Sequence, residues 1–297
     1  MPARSNPWAP CMILLIGLLT AFSLSCGRYG WGPDPVGTAD RYPRWSAYSG
    51  QIAFLHVSYG VPDSLPMGLY VTDTLSRSRR LLVEDLVFGF DWMPGTDSLV
   101  VRTASGLMFI SAATGTGIPV VPGVDGGLLR ISPSGERIAF SGTHDGRSAL
   151  FIYDRTTGRT RLATPDSLLV GNLSWGPSED RLVVIAGSTH QYGVMLVDSS
   201  GVPVRMLAQG WSEYRGVDWA RDGARVLFEA TNPGGRIAVM VTDTLGATPR
   251  EVANSVDGAC WSPNGDVILY AAPTEEGHST TLTMLRLADG TRERLFR

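Results

Sequence analysis

Short apolar runs that follow a glycine turn recur along the chain, and they predict β-hairpins. One example is CWSPNGDVILYAA at residues 260–272, where a turn sequence separates two apolar stretches. In such a turn, proline presets φ at the second position, and glycine supplies the left-handed conformation that a side chain would resist. The run after the glycine is rich in β-branched and aromatic residues, which is typical of a strand.

The same hairpin pattern occurs six times along the chain. The copies lie 39 to 47 residues apart when the tryptophan position is the reference, and they stand at Trp45, Trp92, Ile131, Trp175, Trp219 and Trp261. The second half of each unit also repeats, as a strand, an Asp- or Gly-bearing turn and a short outer strand; ALFIYDRTTGRTRLAT at 149–164 is an example. Each unit therefore predicts four strands, and no useful helical periodicity appears after residue 25.

Six units of this length predict an all-β fold, a six-bladed β-propeller of four-stranded antiparallel blades at residues 41–297. The tryptophan-bearing strand of each blade is expected nearest the axis. The first blade begins with its own inner strand near Tyr42, and the last ends with its own outer strand at 292–296. We therefore expect the ring to close by packing of the first blade on the last, without a strand exchanged between termini.

The repeated phrases resemble those of TolB-type propellers, whose consensus is close to W-S-P-D-G followed by a short apolar strand. The resemblance covers residues 41–297 and is strongest in the copies at Ile131, Trp219 and Trp261. It implies a TolB-like six-bladed propeller, and it implies the bacterial cell envelope as its setting. The Gly/Pro-rich stretch at 26–40 is expected to be a tether in front of the propeller.

The first 25 residues have the pattern of a secretory signal peptide. Arg4 precedes an apolar run at 11–24, which is shorter than the roughly 20 residues that a membrane span needs. The run ends in SLSCG, which resembles a bacterial lipoprotein signal and implies cleavage before a lipidated Cys26. Ser23 and Ser25 also fit ordinary signal peptidase, so a secreted soluble protein is the alternative.

Composition narrows the partners that the chain is expected to bind. Hydrophobic residues make up 43% and charged residues 18%, which is typical of a packed globular protein. The net charge is −3 and no basic tract exceeds RSRR at 77–80, so we do not expect a nucleic-acid partner. We expect a monomer without a cofactor. Cys260 lies inside a repeated strand and is expected to be a buried, inert thiol.

Three histidines are the leading candidates for chemistry. His144, His190 and His278 each fall between the second and third strands of their units, in loops that share one face of a propeller. Neutral imidazoles bind metals, so these loops define an alternative function, a metal-dependent carbohydrate lyase or hydrolase. The favoured interpretation is that they are solvated loop residues, with no metal site and no catalytic residue.

A second set of residues precedes the tryptophan position of each unit. Arginine and aspartate alternate in part of this set, which predicts ion pairs between adjacent inner strands and a structural role. Its members are Arg44, Asp91, Arg130, Ser174, Asp218 and Cys260.

The loop AQGWSEYRG at 208–216 is the candidate for partner binding. Tryptophan, tyrosine and arginine are enriched at binding hot spots, and this loop supplies Trp211, Glu213, Tyr214 and Arg215. His144 and His190 are expected on the same face. The sequence thus predicts a non-enzymatic, lipid-anchored protein on the periplasmic face of the envelope. Its propeller would bind an envelope protein or a cell-wall component.

Overall fold

The computed structural model describes residues 37–297, except residues 62, 76, 123–125, 145–146, 165–168, 189–190, 256, 275–278 and 297. The regular elements of the described residues are 24 β-strands, so the predicted all-β class is confirmed. They lie in consecutive quartets, each running antiparallel from the inner strand to the outer one.

Four quartets form separate four-stranded sheets. The first two comprise β5 Gly89–Trp92, β6 Ser98–Thr103, β7 Gly106–Ser111 and β8 Gly117–Pro122, then β9 Gly126–Ile131, β10 Arg137–His144, β11 Arg147–Asp154 and β12 Arg159–Leu162. The next two comprise β13 Leu169–Trp175, β14 Arg181–Ser188, β15 Gln191–Asp198 and β16 Pro203–Gln209, then β17 Tyr214–Trp219, β18 Arg225–Thr231, β19 Ile237–Asp243 and β20 Arg250–Asn254.

The first and last quartets are joined in one eight-stranded sheet. The first quartet is β1 Gly37–Trp45, β2 Ile52–Tyr59, β3 Gly68–Thr72 and β4 Arg80–Val83. The last is β21 Ala259–Trp261, β22 Val267–Pro273, β23 Thr280–Arg286 and β24 Arg292–Arg294. The structure is thus a β-propeller of four-stranded antiparallel blades with four separate blades, where the sequence predicted six.

Main-chain pairing joins the two ends of the described chain. Ala39 of β1 pairs in parallel with Thr280 of β23, and the Thr280 hydroxyl donates to the carbonyl oxygen of Asp40 at 3.2 Å. β24 keeps its own place beside β23, so the last quartet retains its outer strand. The expectation that the ring closes by packing alone is therefore wrong. The start of β1 pairs with β23 at Thr280, outside the stretch 283–285 that pairs with β24.

The propeller begins earlier than the sequence predicted. β1 starts at Gly37, four residues before the expected boundary at Arg41, and Gly37–Arg297 forms one compact unit. Thr38 lies in register with Ser58 of β2, and its amide donates to the Ser279 hydroxyl at 3.3 Å. The last residues assigned to a tether are therefore strand.

The predicted turns are present between the first and second strands of the units. Gly265 has a φ of 76°, and its amide donates to the carbonyl of Ser262 at 2.9 Å. In the copy after Trp175, Glu179 takes this left-handed place with a φ of 61°. Its carboxylate lies 2.8 Å from the Arg137 guanidinium of the preceding sheet, a contact that offsets the backbone strain.

The hydrophobic core lies between facing sheets. Leu150 and Ile152 of β11 pack with Leu173 and Trp175 of β13, and all four side chains are buried. Similar clusters lie between β14 and β18 and between the joined sheet and its neighbours. This face-to-face packing holds the inner strands around a common axis, so the side chains before each tryptophan face the channel.

Candidate functional site

A cavity of about 460 Å³ lies at the channel end that carries the tight turns between first and second strands. We call this cavity the funnel. All six residues predicted before the tryptophan position line it, together with proline rings from four turns, Pro94, Pro133, Pro177 and Pro263. Partner binding was predicted on the opposite face, and the residues at this end were predicted to be structural.

Hydrogen bonds from side chains of the funnel wall tie three inner strands to the next one around the ring. Asp91 Oδ2 accepts from the amide of Ile131 at 3.0 Å, and Asp218 Oδ2 accepts from the amide of Trp261 at 2.9 Å. Ser174 Oγ accepts from the amide of Trp219 at 3.1 Å. Side chains before the tryptophan position therefore have the structural role that the sequence predicted.

Indole groups add contacts in the reverse direction. Trp92 Nε1 donates to the carbonyl of Arg44 at 2.9 Å, and Trp175 Nε1 donates to the carbonyl of Arg130 at 3.1 Å. The corresponding nitrogens of Trp219 and Trp261 are buried and have no hydrogen-bond partner among the described residues. Two of the indole donors in the funnel wall are thus paired with backbone carbonyls, and two have no hydrogen-bond partner in the described part of the chain.

The charged pair in the funnel is not the one that the sequence predicted. Arg44 Nη1 lies 3.7 Å from Asp218 Oδ1, which joins β1 to β17 across the intervening β21. Adjacent pairing of Arg44 with Asp91 was expected; instead Asp91 contacts backbone amides. Removal from water raises the pKa of Asp91 to about 6 and also raises the pKa of Asp218, while the Arg44 charge opposes both shifts.

Cys260 is buried in the same wall, at 2% exposure. Burial raises the pKa of its thiol to about 12, so the group stays protonated at neutral pH. The prediction of a buried thiol is confirmed.

The loop between β16 and β17 forms a half-buried aromatic pair. The ring of Trp211 lies 5.6 Å from that of Phe228 and 6.2 Å from that of Tyr214, edge to face in both cases. The Tyr214 hydroxyl accepts from the Trp211 amide at 3.3 Å. These contacts fix both rings on the core of the β17–β20 sheet.

The two charged residues of this loop contact their own surroundings. Glu213 carboxylate accepts from the Thr231 hydroxyl at 3.1 Å, and it pairs with Arg215 at 3.4 Å. Asn172 donates its side-chain amide to the carbonyl of Arg215 at 2.8 Å. These contacts hold four residues together, which we call the Trp211 surface: Trp211, Glu213, Tyr214 and Arg215.

The three loop histidines fall at the limits of the structure. β10 ends at His144, whose side chain is not described, and His190 and His278 lie outside the described residues. In the part of the chain that the structure covers, no group of three His, Cys, Asp or Glu side chains is placed to hold a metal ion. Cys26 and the predicted signal peptide also lie outside the described residues.

The fourth histidine was missed by the sequence analysis, because it stands in the alternating strand IAFLHVSY. His56 is buried, with Nδ1 at 2.7 Å from Asp40 and Nε2 at 2.8 Å from Asp63. Asp40 also accepts from Arg79 at 2.7 Å. Burial alone would lower the pKa of His56, but the two carboxylates raise it overall.

A buried glutamate at the other end of the channel was also missed. Glu229 on β18 is 0% exposed and accepts from the Ser255 hydroxyl at 2.5 Å and from the Gly258 amide at 3.0 Å. Burial raises the pKa of Glu229 to about 7. In the sequence ARVLFEA, Glu229 follows an apolar run and looks like an exposed residue near the end of a strand. Its burial depends on packing against Ser255 and Gly258, which lie far along the chain.

Comparison with known proteins agrees with the class that the fold defines, a β-propeller. The chain is similar to the putative TolB from Agrobacterium tumefaciens, with 20% identity and a TM-score of 0.61 over 74% of this chain and 85% of that one. It is similar to TolB from Acinetobacter baumannii, with 16% identity and a TM-score of 0.66 over 97% and 70%.

A third similar structure is an oligogalacturonate lyase in complex with manganese, with 15% identity and a TM-score of 0.60 over 88% of this chain and 78% of that one. At these identities, the likeness extends to the fold alone. No protein-family model matches the sequence, and no curated protein matches it. In the described part of the chain, no helix is long and apolar enough to cross a membrane.

Proposed function

We propose that this chain is a non-enzymatic protein of the bacterial cell envelope whose propeller binds another protein or a cell-wall component. The Trp211 surface carries the proposal. Trp211 and Tyr214 are half-buried and already fixed against Phe228, so a partner would not have to order them on binding. The likeness of the fold to TolB proteins supports a propeller that serves as a binding module.

We infer that the eight-stranded sheet comprises two blades, which gives six blades in all. Its strand order places β1–β4 beside β21–β24, and a single parallel register pair connects them. Each half has the antiparallel order of the four separate sheets. Six copies of the hairpin pattern in the sequence support the same count.

The same proposal places the protein on the periplasmic face of the envelope as a lipid-anchored monomer. SLSCG supports lipidation of Cys26 after removal of residues 1–25. Two or more acyl chains provide stable anchoring, because each buried methylene contributes about 0.8 kcal/mol. Cys26→Ser should be released to the soluble fraction or accumulate unprocessed, and an unmodified amino terminus elsewhere would contradict the anchor.

Crosslinking capture from the native envelope tests the docking surface. Trp211→Ala combined with Tyr214→Ala should abolish capture; because both rings pack on Phe228, it should also lower stability. Trp211→Phe keeps the apolar contact and should weaken capture at an unchanged melting temperature. Arg159→Ala, at the exposed start of β12, is the control. Loss of capture with the control alone would place the partner on the opposite face.

The control excludes Arg155, which the structure gives a role of its own. Its guanidinium donates to the carbonyl of Gly135 at 2.5 Å and lies 4.8 Å from the centre of the Phe109 ring.

Metal analysis tests the enzymatic alternative. Stoichiometric Mn, Zn or Ca that is lost in His144→Ala would overturn the non-enzymatic proposal in favour of a carbohydrate lyase or hydrolase.

A further inference from the structure

We propose that the funnel is a binding site for a carboxylate group, brought by a peptide carboxyl terminus or by a small organic acid. The funnel lies at the channel end with the tight turns, and the Trp211 surface does not contribute to its lining. This inference therefore does not depend on the proposed partner-binding function. It rests on the balance of hydrogen-bond donors and acceptors in the wall.

The spare hydrogen-bonding capacity of the wall consists of donors. Arg44 Nη1, Arg130 Nε, and the Nε1 atoms of Trp219 and Trp261 are buried without a hydrogen-bond partner among the described residues. Arg130 is only 5% exposed and still lines the cavity. Arg44 Nη1 lies 3.7 Å from Asp218 Oδ1, which is an ion pair but longer than a hydrogen bond. A buried N–H group without a hydrogen-bond acceptor is costly, so these groups around one cavity favour a ligand that supplies oxygen atoms.

The acceptors of the wall are already engaged. Asp91 accepts backbone amide hydrogens on both carboxylate oxygens, from Trp92 and Ile131. Asp218 accepts from the Trp261 amide on Oδ2 and from the Ser174 hydroxyl on Oδ1, the latter at 3.3 Å. Each of these carboxylate oxygens already accepts a hydrogen bond from the wall, whereas the four N–H groups donate none to the described residues, so the unmet hydrogen-bonding groups of the wall are donors.

The charges around the cavity suit a single negative group. Arg44 and Arg130 balance Asp91 and Asp218, and Arg221 adds one positive charge to the lining. Guanidinium groups bind planar carboxylates through paired N–H bonds. Five tryptophans and the proline rings would contact an apolar body. The volume of about 460 Å³ falls within the usual range for small ligands, roughly 300–1,000 Å³.

Asp91 makes the binding sensitive to pH. It faces Arg44, Arg130, Asp218 and the neutral thiol of Cys260, and its pKa is already raised to about 6 by burial. A bound carboxylate would disfavour the ionised form further, so binding should take up a proton. The affinity should therefore increase as the pH falls from 7.5 to 5.5.

Calorimetric titration of the full chain in detergent tests the site. The probes are N-acetylated Ala-Ala-Phe with a free carboxyl terminus, its carboxyl-terminal amide, acetate and inorganic phosphate. The free acid should bind at least tenfold more tightly than the amide, and more tightly at pH 5.5 than at 7.5. Acetate that displaces the peptide identifies a small organic acid as the source of the carboxylate; binding of the peptide alone identifies a chain terminus.

Two matched variants separate ligand contact from stability. Trp261→Phe removes an indole donor that lacks a partner, so the free acid should bind several-fold more weakly while the melting temperature is unchanged. Trp175→Phe removes the bond to the Arg130 carbonyl, so it should lower the melting temperature and change affinity less than twofold. Arg44→Gln removes the guanidinium that pairs with Asp218, so it should weaken binding at least tenfold.

The proposal is overturned if the acid and the amide bind equally, if neither binds, or if phosphate binds as tightly as the free acid. Equal losses of affinity in Trp261→Phe and Trp175→Phe would also overturn it, because a general change in the wall would then explain both.

Discussion

Neutralising Glu229 should abolish the pH dependence of stability that this residue causes. The Glu229 side chain is completely buried, and its carboxylate accepts hydrogen bonds from Ser255 and from the Gly258 amide. Burial is the main cause of its raised pKa, the nearby Asp257 charge adds to it, and the two hydrogen bonds and Arg215 oppose it. Glu229→Gln keeps the size and the acceptor but removes the ionisation.

The sign and size follow from the shift. The pKa rises from 4.5 to about 7 on folding, so between these values the folded state holds a proton that the unfolded state has released. The resulting stabilisation is fully present below pH 4.5 and is lost as the pH rises through about 7. At about 1.4 kcal/mol per unit, the loss is on the order of 3 kcal/mol.

Urea denaturation of the wild type and of Glu229→Gln at pH 5 and pH 8.5 measures this effect. At pH 5 the variant should be equal to the wild type or less stable by about 1 kcal/mol, since one hydrogen bond is altered. At pH 8.5 the variant should be the more stable protein by roughly 2–3 kcal/mol, because the wild type must bury a charge.

Asp91 also titrates in this range, with a pKa raised to about 6, but it is present in both proteins and cancels in the difference. A difference in the free energy of unfolding that is the same at both pH values would refute the reasoning. So would a variant that is less stable than the wild type at pH 8.5, because Glu229 would then be stabilised as the ionised form.

Three further predictions concern other buried or strained positions. His56→Gln should destabilise the protein more at pH 6 than at pH 9 in urea denaturation. The pKa of His56 is raised on folding, so its protonation stabilises the folded state below pH 6.5, and this stability is lost as the pH rises through the folded pKa. A pH-independent difference between variant and wild type would contradict this. Gly265→Ala should cost about 1 kcal/mol or more, since its φ is 76° and a Cβ would lie 2.5 Å from Arg225 Nη2. Gly171→Ala should change stability by less than about 0.5 kcal/mol, because a Cβ there would make an ordinary contact 3.8 Å from the Ile185 carbonyl oxygen. Equal effects by thermal denaturation would refute the turn assignment. Cys260 should react with iodoacetamide only after denaturation, and rapid alkylation of the native protein would contradict its burial and its pKa of about 12.

The repeated pattern of the sequence was enough to predict the strands. Turn glycines such as Gly265 and the alternating apolar runs depend on local backbone sterics and on which face is buried, so a short window contains the information. The burial of Cys260 followed from the same argument. The left-handed Glu179 departs from the glycine pattern, because its contact with Arg137 of another sheet compensates for the strain.

The sequence could not predict which distant residues meet. Arg44 pairs with Asp218, His56 with Asp40 and Asp63, and Glu229 with Ser255; each pairing depends on how strands meet in three dimensions.

Two further features depend on tertiary structure. One is the joining of the first and last quartets, and the other is the funnel with its unpaired donors. The repeat determined the blade, because local sterics and strand periodicity act within about ten residues. The closure at Ala39 and Thr280, the ion pairs and the cavity were decided by the arrangement of the sheets, because burial and electrostatic energies depend on distances between residues that lie far apart in the sequence.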